Sequence, residues 1–217
     1  MKDKLRWIIP VVVILMLSVF LVLYYFFKPR LVYSFDAKTN TYMVDYAYGN
    51  GKEYTIPEKY NGKYVTGINV RAFYRHSKLE KIVFENKDRI KTIGRLAFSE
   101  CPNLKEIDLS SVELIERNAF SYDSSLNNLT LSCKHIASSA FYKCTGLNNI
   151  TLNEGVESIG VFAFSYCTFA EIKLPKSINK VYDDAFKYQS NLTKISVYYR
   201  YKSSYISSLS GYEEYYD

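Results

Sequence analysis

The sequence predicts a repeat solenoid, α/β but mainly β, built of short parallel strands and short helical turns and preceded by one transmembrane helix. Two observations carry the solenoid. The dipeptide Ala-Phe recurs six times, ending at Phe73, Phe98, Phe120, Phe141, Phe164 and Phe186, with spacings of 25, 22, 21, 23 and 22 residues. After the phenylalanine comes a Leu-x-x-Ile-x-Leu frame whose Ile-x-Leu part alternates with strand period. A third observation carries the helix: the 21 residues from Trp7 to Phe27 hold no charge.

That run, WIIPVVVILMLSVFLVLYYFF, is long enough at ~1.5 Å per helical residue to cross the ~30 Å hydrocarbon core of a bilayer. Pro10 sits near its start, where a helix tolerates proline best. Trp7, Tyr24 and Tyr25 lie near its ends, as interfacial anchors do. A cleaved signal segment, the alternative, has an apolar region of about 7–15 residues followed by small residues. This run is longer and leaves through Lys28-Pro29-Arg30, so an uncleaved anchor over 7–27 is expected. Lys2, Lys4 and Arg6 against the single acid Asp3 make residues 1–6 a cytoplasmic stub and put everything after Pro29 outside. The expected localisation is the cell membrane, single-pass, with the repeats extracellular.

Residues 28–53 are expected to be a linker and the start of an N-terminal cap, and 54–197 the solenoid. Five residues before each phenylalanine stands an aliphatic: Ile68, Ile93, Ile115, Ile136, Ile159 and Val181. The frames behind them read Leu79-Ile82-Phe84, Leu104-Ile107-Leu109, Leu126-Leu129-Leu131, Leu147-Ile150-Leu152 and Leu192-Ile195-Val197; Phe169-Ile172-Leu174 starts one residue early. A unit of this size cannot bury its own apolar face, so the units must stack and turn the aliphatic positions into continuous columns. Residues 198–217 hold seven tyrosines, from Tyr198 to Tyr216. They read as a cap over the last rung, with an adhesive aromatic patch as the alternative.

This pattern resembles the BspA-like leucine-rich repeats of bacterial and protist surface proteins, over about residues 54–197. The entry Ile56-Pro57, Asn61-Gly62-Lys63, Val65 and Ile68 is similar to the family's usual opening, and residues 172–186, IKLPKSINKVYDDAF, are another close match. The cysteine that follows Ala-Phe is also similar to this class. The resemblance implies a binding or adhesion module without catalysis, loosely, because a fold does not fix a function.

Three residues past each phenylalanine stand His76, Cys101, Asp123, Cys144, Cys167 and Gln189. A zinc site gathers four ligands about one point, whereas a stacked column spreads them at ~4.8 Å per rung. No metal and no cofactor is therefore expected. Among possible disulfides only Cys144 with Cys167 is within reach of one rung. His76 and His135 are the only histidines, neither is placed to activate a thiol, and no hydrolase or nucleotide-binding motif occurs. The cysteines read as small, half-buried fillers of a tight turn. Beyond Arg30 the charge is nearly balanced, which leaves no basic stripe for nucleic acid.

The expected ligand-binding residues are those that point outward from the strands. Asp108, Thr130, Thr151, Lys173 and Ser196 form one row with Val83, and Asn128 and Asn149 flank it together with Glu106, Ser110, Asn153, Glu171 and Lys194. Six strands offer on the order of 300 Å², short of the ~800 Å² per partner of a standard interface. A slender ligand along the row, or a partner that also grips the loops, is expected. The function read from the sequence is that of a membrane-anchored extracellular protein, held by its N-terminal helix, that binds a protein or a cell-surface polymer. A structural envelope protein acting by self-association, or as a subunit of a membrane complex, is the alternative.

Overall fold

A computed structural model of the chain describes the backbone of residues 2–198 and 213–216 and the side chains of residues 10–24 and 28–198. Helix α1 runs over Lys2–Phe27. Its described side chains, residues 10–24, are all exposed, and apart from Ser18 they carry no strongly polar group, running from Val11 and Ile14 through Met16 and Phe20 to Leu23 and Tyr24. Among the described residues no helix is long and apolar enough to cross a membrane. The described side chains of α1 cover only about 22 Å at 1.5 Å per residue.

Sixteen strands follow among the described residues. In chain order they are β1 (Arg30–Asp36), β2 (Thr41–Tyr48), β3 (Glu53–Ile56), β4 (Lys59–Tyr60), β5 (Lys63–Ile68), β6 (Lys81–Phe84), β7 (Thr92–Ile93) and β8 (Leu114–Ile115). Then come β9 (Asn128–Leu131), β10 (His135–Ile136), β11 (Asn149–Leu152), β12 (Ser158–Ile159), β13 (Glu171–Lys173), β14 (Lys180–Val181), β15 (Lys194–Tyr198) and β16 (Glu213–Tyr216). They wind into a mainly-β solenoid of about seven turns.

One wall of the solenoid is a nine-stranded sheet in the order β1-β2-β5-β7-β8-β10-β12-β14, with β4 paired to β5. Its parallel registers align Ile68 with Ile93, Ile93 with Ile115, Ile115 with Ile136, Ile136 with Ile159, and Ile159 with Val181. The aliphatic column expected five residues before each phenylalanine is thus the spine of a sheet. The antiparallel hairpin β1-β2 extends it at the N-terminal end, where Val44 pairs with Ile68 and is fully buried.

The Ala-Phe segments that follow are not the helical turns the sequence suggests. Within the solenoid the one short helix among the described residues is the 3-10 turn Lys87–Arg89. Elsewhere the chain makes consecutive β-turns. The residues two before and two after each phenylalanine hold φ between +56° and +69°, and none of them is glycine: Arg71 and Arg75, Leu96 and Glu100, Asn118 and Tyr122, Ser139 and Lys143, Phe162 and Tyr166, Asp184 and Tyr188. A left-handed residue costs about 1–2 kcal/mol, and hydrogen bonds between rungs offset it. The alternation frees every second N–H to point along the solenoid axis. Phe73, Phe98, Phe120, Phe141 and Phe164 each donate to the alanine carbonyl of the next rung at 2.8–2.9 Å. The N–H groups two residues further on, from Arg75 to Tyr166, donate to the next rung in the same way.

The rings of the phenylalanines stack through the core. Successive centroids from Phe73 to Phe186 lie 4.9, 5.1, 5.3, 5.5 and 5.8 Å apart, with planes within 15° of parallel. Phe169, whose frame starts a residue early, packs edge-on against Phe164 and is fully buried. The leucine frames close the opposite wall, but not as one sheet. β3 pairs with β6, β9 with β11, β13 with β15, and β15 in turn with β16. The rung through Ile107 contributes only a bridge between Lys81 and Glu106. Beside the breaks, Ile107 and Ile150 are half-buried, where the sequence placed them in the middle of the core. The expected Tyr-rich cap over 198–217 lies mostly outside the described residues; within them β16 adds a parallel strand to β15.

Candidate functional site

A groove of about 1040 Å³ opens along the broken wall where the Ile107 rung leaves the ladder. Asp108 drives the departure. Its Oδ1 accepts from Ser110 N at 2.9 Å and Ser110 Oγ at 2.6 Å, a side-chain turn that competes with strand pairing. Burial alone would raise the Asp108 carboxyl, but these bonds and Lys87, 3.1 Å away, hold it below the usual carboxylate range.

Five of the seven residues expected from the sequence line this groove: Asp108, Asn128, Thr130, Asn149 and Thr151. Thr130 pairs with Thr151 in register and Asn128 with Asn149, so two outward columns run across β9 and β11. Asn149 Nδ2 donates to Asn128 Oδ1 at 2.8 Å, and Asn128 Nδ2 donates to Asn127 at 2.6 Å. Lys173 and Ser196 do not join them; they face each other in register in the separate β13-β15-β16 sheet, Lys173 exposed and Ser196 half-buried.

The groove also takes Lys81, Glu85, Lys87 and Lys105, which are absent from the expected set, and Glu106, which the sequence placed beside the row. For Lys81 the signal was present, because it occupies the position before the frame isoleucine that Asn128 and Asn149 hold two and three rungs on. For Lys87 there was none, since the 3-10 turn that carries it interrupts the repeat. These charges cancel locally. Lys81 pairs with Glu106 at 2.7 Å, Lys87 with Asp108 at 3.1 Å, and Lys105 with Glu80 at 3.7 Å. What remains unspent across β9 and β11 is a floor of amides and hydroxyls. Such a surface can exchange hydrogen bonds with a neutral polar chain, either a peptide backbone or a glycan, and offers no field for a polyanion.

The cysteine column has no disulfide: Cys101, Cys144 and Cys167, and Cys133 outside the column, are free thiols and buried, more fully than the half-burial expected. Each thiol of the column donates to the phenylalanine carbonyl of the preceding rung, Cys101 to Phe73 at 3.0 Å, Cys144 to Phe120 at 3.0 Å and Cys167 to Phe141 at 3.3 Å. Gln189 Nε2 does the same to Phe164 at 3.1 Å. Burial pushes all four thiols up, Cys133 to about 12, which leaves them without nucleophilic character at neutral pH. On the outside of the same turns Tyr122, Tyr142, Tyr166 and Tyr188 form an aromatic ladder at 4.8–5.5 Å. Lys143 Nζ stands 5.2–5.5 Å from three of its rings.

A model of the BspA type leucine rich repeat region matches six copies over residues 41–136 and 115–211. Among solved structures, a leucine rich cell surface protein of Faecalibacterium prausnitzii superimposes with a TM-score of 0.63 at 23% identity, over 77% of this chain and 54% of that one. The chain thus spans about half the length of that protein. A leucine rich repeat protein of T. pallidum gives a TM-score of 0.58 at 20% identity, over 79% and 69% of the two chains. At such identities these likenesses show the fold. No curated protein matches the sequence. The six matched copies span the rungs whose columns build the core, and the chain belongs to the BspA type leucine-rich repeat family.

Proposed function

We propose that this protein is a membrane-anchored, extracellular recognition module that binds a protein or a cell-surface polymer along the groove over β6, β9 and β11. Repeats of this family and fold are typically non-catalytic binding modules. The observation that carries the reading is the aligned floor Asn128-Asn149 and Thr130-Thr151 beside ion pairs that neutralise each other. The floor of neutral amides and hydroxyls suits a neutral polar chain. Lys173 and Ser196, on the separate sheet, act as a secondary contact for a ligand that continues toward the C-terminal rungs.

The anchor is α1. Its 26 helical residues span about 39 Å at 1.5 Å each, and its described apolar side chains, from Val11 to Tyr24, are exposed, as lipid contact requires. The basic residues Lys2, Lys4 and Arg6 keep the N-terminus inside, which presents the solenoid outside the cell. The F. prausnitzii relative is itself described as a cell surface protein.

The test is a pull-down with the detergent-solubilised full chain against cell-surface protein and polysaccharide fractions, repeated with the Thr130→Arg/Thr151→Arg variant. Two arginines on the floor should abolish capture and leave the unfolding midpoint nearly unchanged. Undiminished capture moves the site off the groove. Capture of nothing, together with self-association in sedimentation that the double variant abolishes, makes a second copy the occupant and the role structural.

A further inference from the structure

The solenoid joins its helix with almost no slack. Lys28 N still donates to Tyr24 O at 2.9 Å, continuing α1, and Arg30 already opens β1. Between them Pro29 is seated on Gly51, where an added Cβ would stand 2.9 Å from Pro29 Cβ; only glycine leaves room for the proline. Two linking residues reach at most ~7 Å. The headgroup region on each side of the hydrocarbon core is itself about 5–8 Å thick. If α1 spans the bilayer, the end of the hairpin that holds Arg30 and Tyr48 therefore lies within that region.

The outward side of that end has the matching chemistry. A strand face turned to water is ordinarily polar. Here Val32 pairs with Tyr46 and Arg30 with Tyr48 on the side away from the core, and Val32, Tyr46 and Tyr48 are 38%, 48% and 42% exposed. The two tyrosine rings lie 4.6 Å apart, and the Arg30 guanidinium sits 4.7 Å from the Tyr48 ring. Exposed Lys28 adds a second cation. The one acid on β2, Asp45, is bonded to Asn69 Nδ2 at 3.0 Å. Aromatic residues with a polar tip, flanked by Lys and Arg, are the side chains that settle at a membrane–water interface.

We propose that Lys28, Arg30, Val32, Tyr46 and Tyr48 form a docking patch for the headgroup layer of the outer leaflet, so that the N-terminal hairpin rests on the bilayer and the solenoid is held in one attitude to it. The tyrosines enter the interface while the two cations meet lipid phosphates. This rests on the reading of α1 as a membrane anchor. It makes the repeat domain a fixed mount rather than a module swinging on a tether, with the groove presented at a set orientation to the cell surface.

The chain has a single tryptophan, Trp7, which allows a direct test. The full chain carrying Trp7→Phe and Tyr46→Trp is reconstituted into mixed phosphatidylcholine–phosphatidylglycerol vesicles and examined by flotation and by quenching with lipids brominated near the headgroup. Docking is expected to give blue-shifted emission and a clear loss of intensity with the brominated lipid. Adding Arg30→Glu and Val32→Ser should reduce that loss. A tryptophan placed instead at exposed Tyr188, in the sixth Ala-Phe rung, should stay unquenched. Chains that float with the vesicles while the tryptophan at position 46 emits as in water and is not quenched would overturn the docking and leave the anchor standing. Chains that fail to float would overturn the anchor and the docking with it.

Discussion

The two walls of the solenoid are built from the same repeat and behave differently. On the turn wall the ladder is unbroken: each phenylalanine from Phe73 to Phe164 bonds to the next rung, the rings stack at 4.9–5.8 Å, and the aliphatic column runs in register from Val44 to Val181. On the frame wall the pairing falls into three separate sheets, and the groove opens at a break. The inward residues are apolar on both walls. What differs is the freedom of the outward ones. A turn that needs left-handed residues at two fixed positions and a ring between them admits little variation, whereas the residue between the two core positions of a strand is free to be Val83, Asp108, Thr130 or Lys173. Packing is concentrated where the repeat is strict, and variation of the outward side chains collects where it is loose.

The sharpest way to break that contrast is to remove one ring from the stack. Phe141 is fully buried between Phe120 and Phe164 at 5.3 and 5.5 Å. Phe141→Ala should cost about 3–5 kcal/mol of unfolding free energy, read by urea denaturation. Thr130→Ala, outward on the opposite wall, should stay within about 0.5 kcal/mol. Comparable losses from the two would mean that the walls share the load.

A subtler comparison uses one residue type on both walls. Ile159, in register between Ile136 and Val181, is fully buried, while Ile150 is half-buried on β11 beside a break. Ile159→Ala should lose about 2–5 kcal/mol and Ile150→Ala less than about 2. If Ile150→Ala costs as much as Ile159→Ala, the frame wall is as tightly packed as the turn wall despite its broken pairing.

These assignments show which parts of the structure were legible in the residues. The Ala-Phe period and the two aliphatic columns were enough to place the rungs, because burial of an apolar face leaves a strict spacing. The left-handed turns were not legible: Leu96, Phe162 and Tyr122 give no local hint of positive φ, which is imposed by bonding to the next rung. Short helical turns were therefore the natural, mistaken, expectation. The groove was half legible. Outward alternation identified Asn128, Thr130, Asn149 and Thr151, but the break that turns a flat row into a groove comes from Asp108 folding onto Ser110. An Ile-x-Leu pattern runs through that rung as through any other. Hairpin β1-β2 lies outside the Ala-Phe period, so Val44 and Ala47 gave no sign that they would join the core.

The cysteine column supplies the smallest effect and a test of how strictly the turn wall repeats. Every other described member from Cys101 to Gln189 donates to the phenylalanine carbonyl of the preceding rung, but Asp123 has no proton to give when ionised. Its Oδ1 accepts from Cys101 N at 2.8 Å, while Oδ2 is buried without a hydrogen-bond partner among the described residues. Burial pushes the Asp123 carboxyl well above the usual carboxylate range, which amounts to holding the donor proton that the column calls for. Because the folded value lies above the unfolded one, the stability contributed by this group is full below about pH 4 and declines as pH rises toward the folded value. Asp123→Asn keeps an acceptor for Cys101 N and supplies a permanent N–H donor in place of the titrating proton. The variant should match the parent protein near pH 3.5 and be the more stable of the two at pH 7, where the folded parent must hold a proton that its unfolded chain releases. Urea midpoints collected at both pH values decide the matter. A variant less stable at pH 7, or an advantage that does not grow with pH, would show that the carboxylate is ionised in the fold and satisfied in some other way, and that the turn wall tolerates a charge where its repeat otherwise places a donor.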